Sequence, residues 1–415
     1  MSLTKTSTLV LLLFSLTFSS CTITLKEFVK WKQIEFADLP EKGNLIQKNV
    51  VPQGFAVSKD KLFIAVPRRN IGIPSTLNYI KLDGREFYEN PKLYSYPNYE
   101  TNELNPSNEA NANKIISVYR PRVDECNRLW FVDSGVINTS GNATVLQAPA
   151  IFVIDLATDA IIKRYEIPNH IVRDGLGLAS ITIDTIDCNE NAFAYIPDLL
   201  NSQMLIYSLK DNVAYRMQHN FFRMNPFEGE FDIDGLKFSW DDGIFSITLG
   251  KRDDSKDGSY RDAYFHPMIS FSEFSISTRI LRNQTLATRS YHGNDVKLLG
   301  NRGKNSQSTM HSYHEKSGII YFAEINKNAV SCWNTRKPLR PSNVKIIARD
   351  DIKLIYPSDL SVVDDDLWVM SNRMIRQIYS TLNADDFNFR IFRQPVKDTL
   401  AACNATASRR RKFAN

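Results

Sequence analysis

The residues best placed to do chemistry are polar side chains that recur at one offset along the chain. Val66, Asp133, Asp198, Thr248, Glu324 and Ser371 each stand three positions after an aromatic residue, namely Phe63, Trp130, Tyr195, Phe245, Tyr321 and Trp368. Five of the six positions carry oxygen, three of them as carboxylates, and Asn372 adds an amide next to Ser371. Such a set suits a cation, either an amine or a Ca²⁺ ion, which takes several oxygen ligands. Proton transfer would most often call on histidine. The six histidines are His170, His219, His266, His292, His311 and His314, and only the last two approach each other in sequence. Each is read as a surface or packing residue. No Gly-x-Ser-x-Gly elbow, phosphate loop or His-Glu-x-x-His pair is present, which argues against a serine hydrolase, a nucleotide enzyme or a zinc protease. No cofactor is expected.

The elements that must position these residues are short strands. The six aromatic anchors sit in the segments 60–67, 127–134, 192–198, 242–249, 318–324 and 365–372, each a turn-type start followed by β-branched and aromatic residues. The anchors follow one another at 47 to 76 residues, room for one four-stranded blade with its loops. Further strand pairs lie between them, such as 150–156 and 161–167 joined through Thr158 and Asp159. Long amphipathic helices do not alternate with the strands, so a parallel α/β sheet is unsupported. The expectation is an all-β six-bladed β-propeller with a central channel. Its innermost strands would face the axis, and the residues three after each anchor would lie near one mouth. Closure would join a first strand near Trp31 to the alternating segment 386–392 of the last blade.

Apolar residues make up 43% of the 415 positions, with 24 Phe and 17 Tyr, which supplies a large core. The formal charge of +5 is a small imbalance, and no helix interleaves basic with aromatic residues, so nucleic-acid binding has no support. Residues 1–21 have the layout of a secretory signal peptide, with Lys5, an apolar run from Leu9 to Phe18 and small residues before Thr22. The run is too short to span a bilayer, and no later segment is long enough. Residues 22–403 form a single propeller domain in this reading, and 404–415, with Arg409, Arg410, Arg411 and Lys412, a basic disordered tail. Four cysteines remain past the signal, Cys126, Cys188, Cys332 and Cys403, an even number that implies two disulfides in a secreted chain. Of the three connectivities, Cys126–Cys188 and Cys332–Cys403 are preferred because each pair is near in sequence and stays within one half. Sequons at Asn138, Asn142, Asn283 and Asn404 agree with secretory passage and an extracellular location.

Several of these segments also carry a family resemblance. Residues 65–69 and 72–77, then 123–135, 277–282, 330–335, 367–372 and 386–390, are similar in order and spacing to the Yellow and major royal jelly protein family, from about Trp31 to Cys403. The resemblance implies a six-bladed propeller, secretion and an insect source. It leaves several functions open, since the family includes pigmentation proteins, royal jelly proteins, sand fly salivary proteins and members described as dopachrome-converting enzymes. The salivary branch captures biogenic amines through a threonine and an asparagine on the last blade, which correspond to Ser358 and Asn372, and an aromatic two residues on corresponds to Met374. The expectation is therefore a binding protein for a small aromatic amine or catechol of the serotonin, dopamine or octopamine class, using Asn372, Ser358, Met374, Asp133, Asp198, Thr248 and Glu324. A dopachrome-converting isomerase is the alternative, and a storage or structural protein without ligand is a third.

Overall fold

The computed structural model describes residues 22–40, 44–104, 114–189, 191–253 and 259–405. The signal-peptide segment 1–21 and the tail from 406 on lie outside the described residues.

Six sheets follow one another around an axis, antiparallel except where Tyr88–Glu89 adds parallel to the edge of the sixth. Blade 1 runs Gly54–Val57, Lys61–Ala65, Leu77–Lys81 and Tyr94–Ser95. Blade 2 begins at Arg122–Val123 and continues through Arg128–Asp133, Ala150–Asp155 and Ala160–Glu166. Blade 3 opens with Thr182–Thr185, blade 4 with Ile244–Leu249, blade 5 with Ser308–His314 and blade 6 with Pro357–Val363. In blade 6 the strand Glu27–Trp31 from the start of the chain pairs antiparallel with Phe389–Pro395, so the two ends of the propeller are stitched into one sheet and the ring closes where expected. Closure removes the open edges that would otherwise template aggregation.

The aromatic anchors fill the spaces between blades. Trp130 packs with Ile196 and Leu205 of blade 3, and Trp368 with Phe55 and Ile64 of blade 1. Tyr195 meets Ile247 and Phe265 of blade 4 in the same way. Trp130, Tyr195 and Phe63 are fully buried, each burying enough area to contribute a few kcal/mol. Five of the six anchors lie on the second strand of their blades. Phe245 differs, because it lies on the innermost strand of blade 4.

Innermost strands have one edge turned to the channel, and their neighbours in the next blade satisfy part of it through hydroxyls. Ser180 Oγ and Thr182 Oγ1 donate to the carbonyls of Phe245 and Ile247. Ser246 and Thr248 in turn accept the backbone N–H groups of His311 and Tyr313, and Ser312 accepts that of Val362. Between blades 6, 1 and 2 a carboxylate takes this part: Asp359 accepts the Phe55 N–H at 3.0 Å and pairs with Arg122 at 2.7 Å.

Both disulfides form as expected. Cys126–Cys188 ties turns of blades 2 and 3, with Cα atoms 5.5 Å apart. Cys332–Cys403 ties blade 5 to the short C-terminal helix Leu400–Asn404, with Cα atoms 5.7 Å apart. Of the sequon asparagines, Asn142, Asn283 and Asn404 are exposed and Asn138 is half-buried. No helix of the described residues is long and apolar enough to cross a membrane.

Candidate functional site

One mouth of the channel holds a cavity of about 340 Å³. It is built by residues that immediately precede the innermost strands: Gln53 before blade 1, Arg120 before blade 2, Asp242 before blade 4 and Tyr356 before blade 6. Aromatic walls come from Trp240, Phe245 and Tyr356, and Met374 and Arg69 complete the rim.

Arg120 spans the channel. Its guanidinium donates to the carbonyl of Ser358 in blade 6 at 2.9 and 3.1 Å and to that of Ala179 ahead of blade 3 at 3.0 Å. It also lies over the Phe245 ring, 4.9 Å from the centroid, a cation–π placement that retains the charge. All its partners are neutral, so a buried positive charge underlies this mouth. Burial lowers its pKa, but arginine remains protonated at any working pH.

Asp242 is the perturbed acid of the cavity. Burial, with Asp241 beside it, pushes its carboxyl up to about 6, against the pull of Arg69 and Arg120. No donor among the described residues hydrogen-bonds its carboxylate. A carboxyl with a pKa near neutrality in a cleft can both accept and return a proton. In the same cavity, burial raises the Tyr356 phenol above its usual value, so it stays a hydroxyl and a donor. Tyr356 also has φ +54°, the left-handed region that a bulky side chain rarely occupies. Strain of this kind persists where the surroundings over-determine it, often at working sites.

The residues expected at the mouth are distributed differently. Asp133, Asp198 and Glu324 end second strands, one layer out from the axis, and their carboxylates are engaged. Asp133 accepts from Ile116 N, Ser117 N, Gly135 N and Gln147 Nε2. Asp198 accepts from Asn201 and Gln203. Glu324 accepts from Ser331 Oγ and pairs with Lys327 at 2.7 Å. These acids organise loops between strands and form no acidic rim. Thr248, being on an innermost strand, lines a separate cavity of about 250 Å³ further along the channel, with its hydroxyl committed to Tyr313 N. Asn372 spends both ends of its amide on backbone, donating to Pro52 O and accepting from Met374 N. Ser358 is buried with its hydroxyl unpartnered, while its carbonyl holds Arg120. Met374 alone of the seven lines the cavity.

His266, Glu273 and His311 form the one group of metal-ligating side chains found among the described residues, buried between blades 4 and 5. Arg302 lies 2.6 Å from Glu273 Oε2, His266 Nδ1 lies 3.0 Å from that same oxygen and His311 Nε2 3.1 Å from Oε1. Burial would raise the Glu273 pKa, and the two histidines overcome it and bring it down. Burial lowers His266 to about 3. A second cation beside the Arg302 guanidinium would add uncompensated buried charge, so the cluster fits an ion-paired tie between blades better than a metal centre.

The chemistry of the mouth comes from the residue or two ahead of an innermost strand, not from the positions three after each anchor. The signal was present in Trp240-Asp241-Asp242-Gly243, two acids and an indole in a turn leading into a strand.

The fold is a closed six-bladed propeller whose mouth holds a small, aromatic-walled cavity lined by a perturbed acid and a buried arginine. The family model described as Major royal jelly protein matches residues 116–403. The chain belongs to the Yellow and major royal jelly protein family. It is 47% identical over 355 residues to "L-dopachrome tautomerase yellow-f" of Drosophila melanogaster, covering 85% of this chain and 81% of that protein. It is 36% identical over 400 residues to "Protein yellow" of Drosophila melanogaster, covering 94% of this chain and 72% of that protein. Among solved structures, virginiamycin B lyase from Staphylococcus aureus matches with a TM-score of 0.44 at 12% identity, covering 85% of this chain and 97% of the other.

Proposed function

We propose that the protein is a dopachrome-type tautomerase acting at the Asp242 mouth. The observation that carries this reading is the Asp242 carboxyl, without a hydrogen-bond donor among the described residues and pushed up to about 6, lining one aromatic-walled cavity with Tyr356. The 47% identity to a protein named L-dopachrome tautomerase supports it. Tautomerisation of an aminochrome to a dihydroxyindole breaks two C–H bonds, one on each saturated ring carbon, and forms two O–H bonds on the quinone oxygens, with no external oxidant or reductant. The first proton transfer gives a quinone methide and the second restores aromaticity. Asp242 as carboxylate takes a carbon-bound proton, and the Tyr356 hydroxyl donates toward a quinone oxygen, its proton being replenished from solvent or from Asp242. Trp240 and Phe245 flank the planar ring, and the Arg120 charge beneath favours the negative charge that develops as the proton leaves. The test is the disappearance of L-dopachrome with purified protein above its spontaneous rate; no acceleration contradicts the reading.

Capture of an aromatic amine is the second reading. The adjacent Asp241 and Asp242 beside three aromatic rings favour it, while the buried Arg120 opposes it. Calorimetric titration with serotonin, dopamine and octopamine separates the two, since an amine-capturing site gives saturable heat and a tautomerase site gives turnover.

The two disulfides and the leader-like segment 1–21 support secretion. Sequencing the N-terminus of protein from culture medium tests it, with a start near Thr22 expected.

A further inference from the structure

Arg69 stands at the rim of the same cavity, and its side chain is held in an unusual way. Its guanidinium contacts the thioether sulfur of Met374, and Gln53 Nε2 approaches that sulfur from another side at 3.0 Å. No carboxylate among the described residues lies within ion-pair distance of Arg69. Met374 in turn is fixed by its backbone N–H to Asn372 Oδ1 at 3.1 Å, at the first position of the helix Met374–Tyr379. A thioether is a weak, neutral acceptor. It can orient a guanidinium through contact without forming an ion pair, so that Arg69 feels only the more distant Asp242, whereas a carboxylate at the same position would neutralise it.

We infer that Arg69 is the anion receptor of this mouth and that Met374 is its positioning residue, so that the cavity selects aromatic ligands bearing a carboxylate over their decarboxylated counterparts. The inference rests on the proposed site but not on its chemistry. An anionic group beside a planar ring meets the Arg69 fork in a charge-assisted contact, with the ring between Trp240 and Phe245. A ligand without the carboxylate forgoes that contact and keeps the stacking. Asn372 then matters to the ligand only through Met374, which accounts for a side chain whose own polar atoms are both spent on backbone.

The test uses indole-2-carboxylate and indole as probes, titrated calorimetrically into the full chain at low and high salt. The wild-type protein is expected to bind the carboxylate at least about tenfold more tightly than indole, with the preference shrinking in high salt. Arg69→Leu should abolish the preference, with the loss of affinity falling on the carboxylate rather than on indole. Met374→Leu, which keeps volume and removes the acceptor, should cut the preference severalfold, and Met374→Gln, which restores an acceptor oxygen, should recover it. A wild-type ratio near one, or no binding of either probe, overturns the inference. So does a Met374→Leu protein that keeps the full ratio or loses both probes equally. Preference without dopachrome turnover would sink the tautomerase reading and leave this inference standing; turnover without preference would do the reverse.

Discussion

The guanidinium of Arg120, just ahead of blade 2, and the backbone carbonyl of Ser358 in blade 6 meet across the channel, with Nε and Nη2 at 3.1 and 2.9 Å from the one oxygen. Arg120 lines the mouth cavity, and a different set of residues lines the cavity that holds Thr248. Replacing Arg120 with Met leaves the Ser358 and Ala179 carbonyls buried without donors, at an expected cost of about 2–4 kcal/mol. Chemical denaturation of Arg120→Met against wild type measures it, and an unchanged midpoint would contradict the assigned role.

Ser358 offers the opposite case. Its hydroxyl is buried and has no partner among the described residues, so Ser358→Ala is expected to change stability by less than about 1 kcal/mol. Tautomerase activity should stay within about twofold. Loss of amine binding in that variant would instead favour the capture reading.

Asp359 links three blades, accepting from Phe55 N and pairing with Arg122. Asp359→Ala strands the Arg122 charge and should cost about 3–5 kcal/mol. Thermal unfolding provides the comparison, and a shift under a degree would show that Arg122 finds another partner.

Asp242 makes a paired prediction. Its folded pKa is raised, so its contribution favours the folded state most at low pH and is lost as pH rises from about 4 through about 6. At pH 7.5 Asp242→Asn removes a poorly solvated charge and should stabilise the fold, by about 1–2 kcal/mol, an advantage that vanishes below pH 4. A stabilised but inactive variant is the signature of a strained working group.

Tyr356→Phe removes the donor and keeps the ring. It is expected to lower kcat by about 10² while leaving KM within a few-fold. Steady-state kinetics on L-dopachrome decides it, and equal loss in binding and turnover would assign Tyr356 to packing.

Much of the fold could be read from residues alone because blade cores depend on local alternation. The anchors Trp130, Tyr195 and Trp368 and the closing strand near Trp31 express themselves within short windows, and the cysteine pairs, 62 and 71 residues apart, follow from the number and order of the cysteines. The site did not. Whether a carboxylate such as Asp133 faces the channel or caps a loop depends on which strand of the blade it ends, and five anchors proved to be on second strands while Phe245 was on an innermost one. Asp242, Arg120 and Tyr356 come from three blades and share no sequence pattern. Their meeting is a product of ring closure, and the pKa of Asp242 follows from burial that only the assembled mouth creates. Hydroxyls such as Thr182 and Ser246, which stitch innermost strands together, are likewise indistinguishable in sequence from surface polar residues.

The central claim is that Asp242 moves the proton. The most direct measurement is the pH dependence of kcat/KM for L-dopachrome, taken for wild type and Asp242→Asn after subtracting the spontaneous rate. Wild-type activity is expected to climb through an apparent pKa of about 6 as Asp242 ionises, and the variant to be at least about 10²-fold slower with that inflection gone. An Asp242→Asn protein that keeps both the rate and the inflection would contradict it.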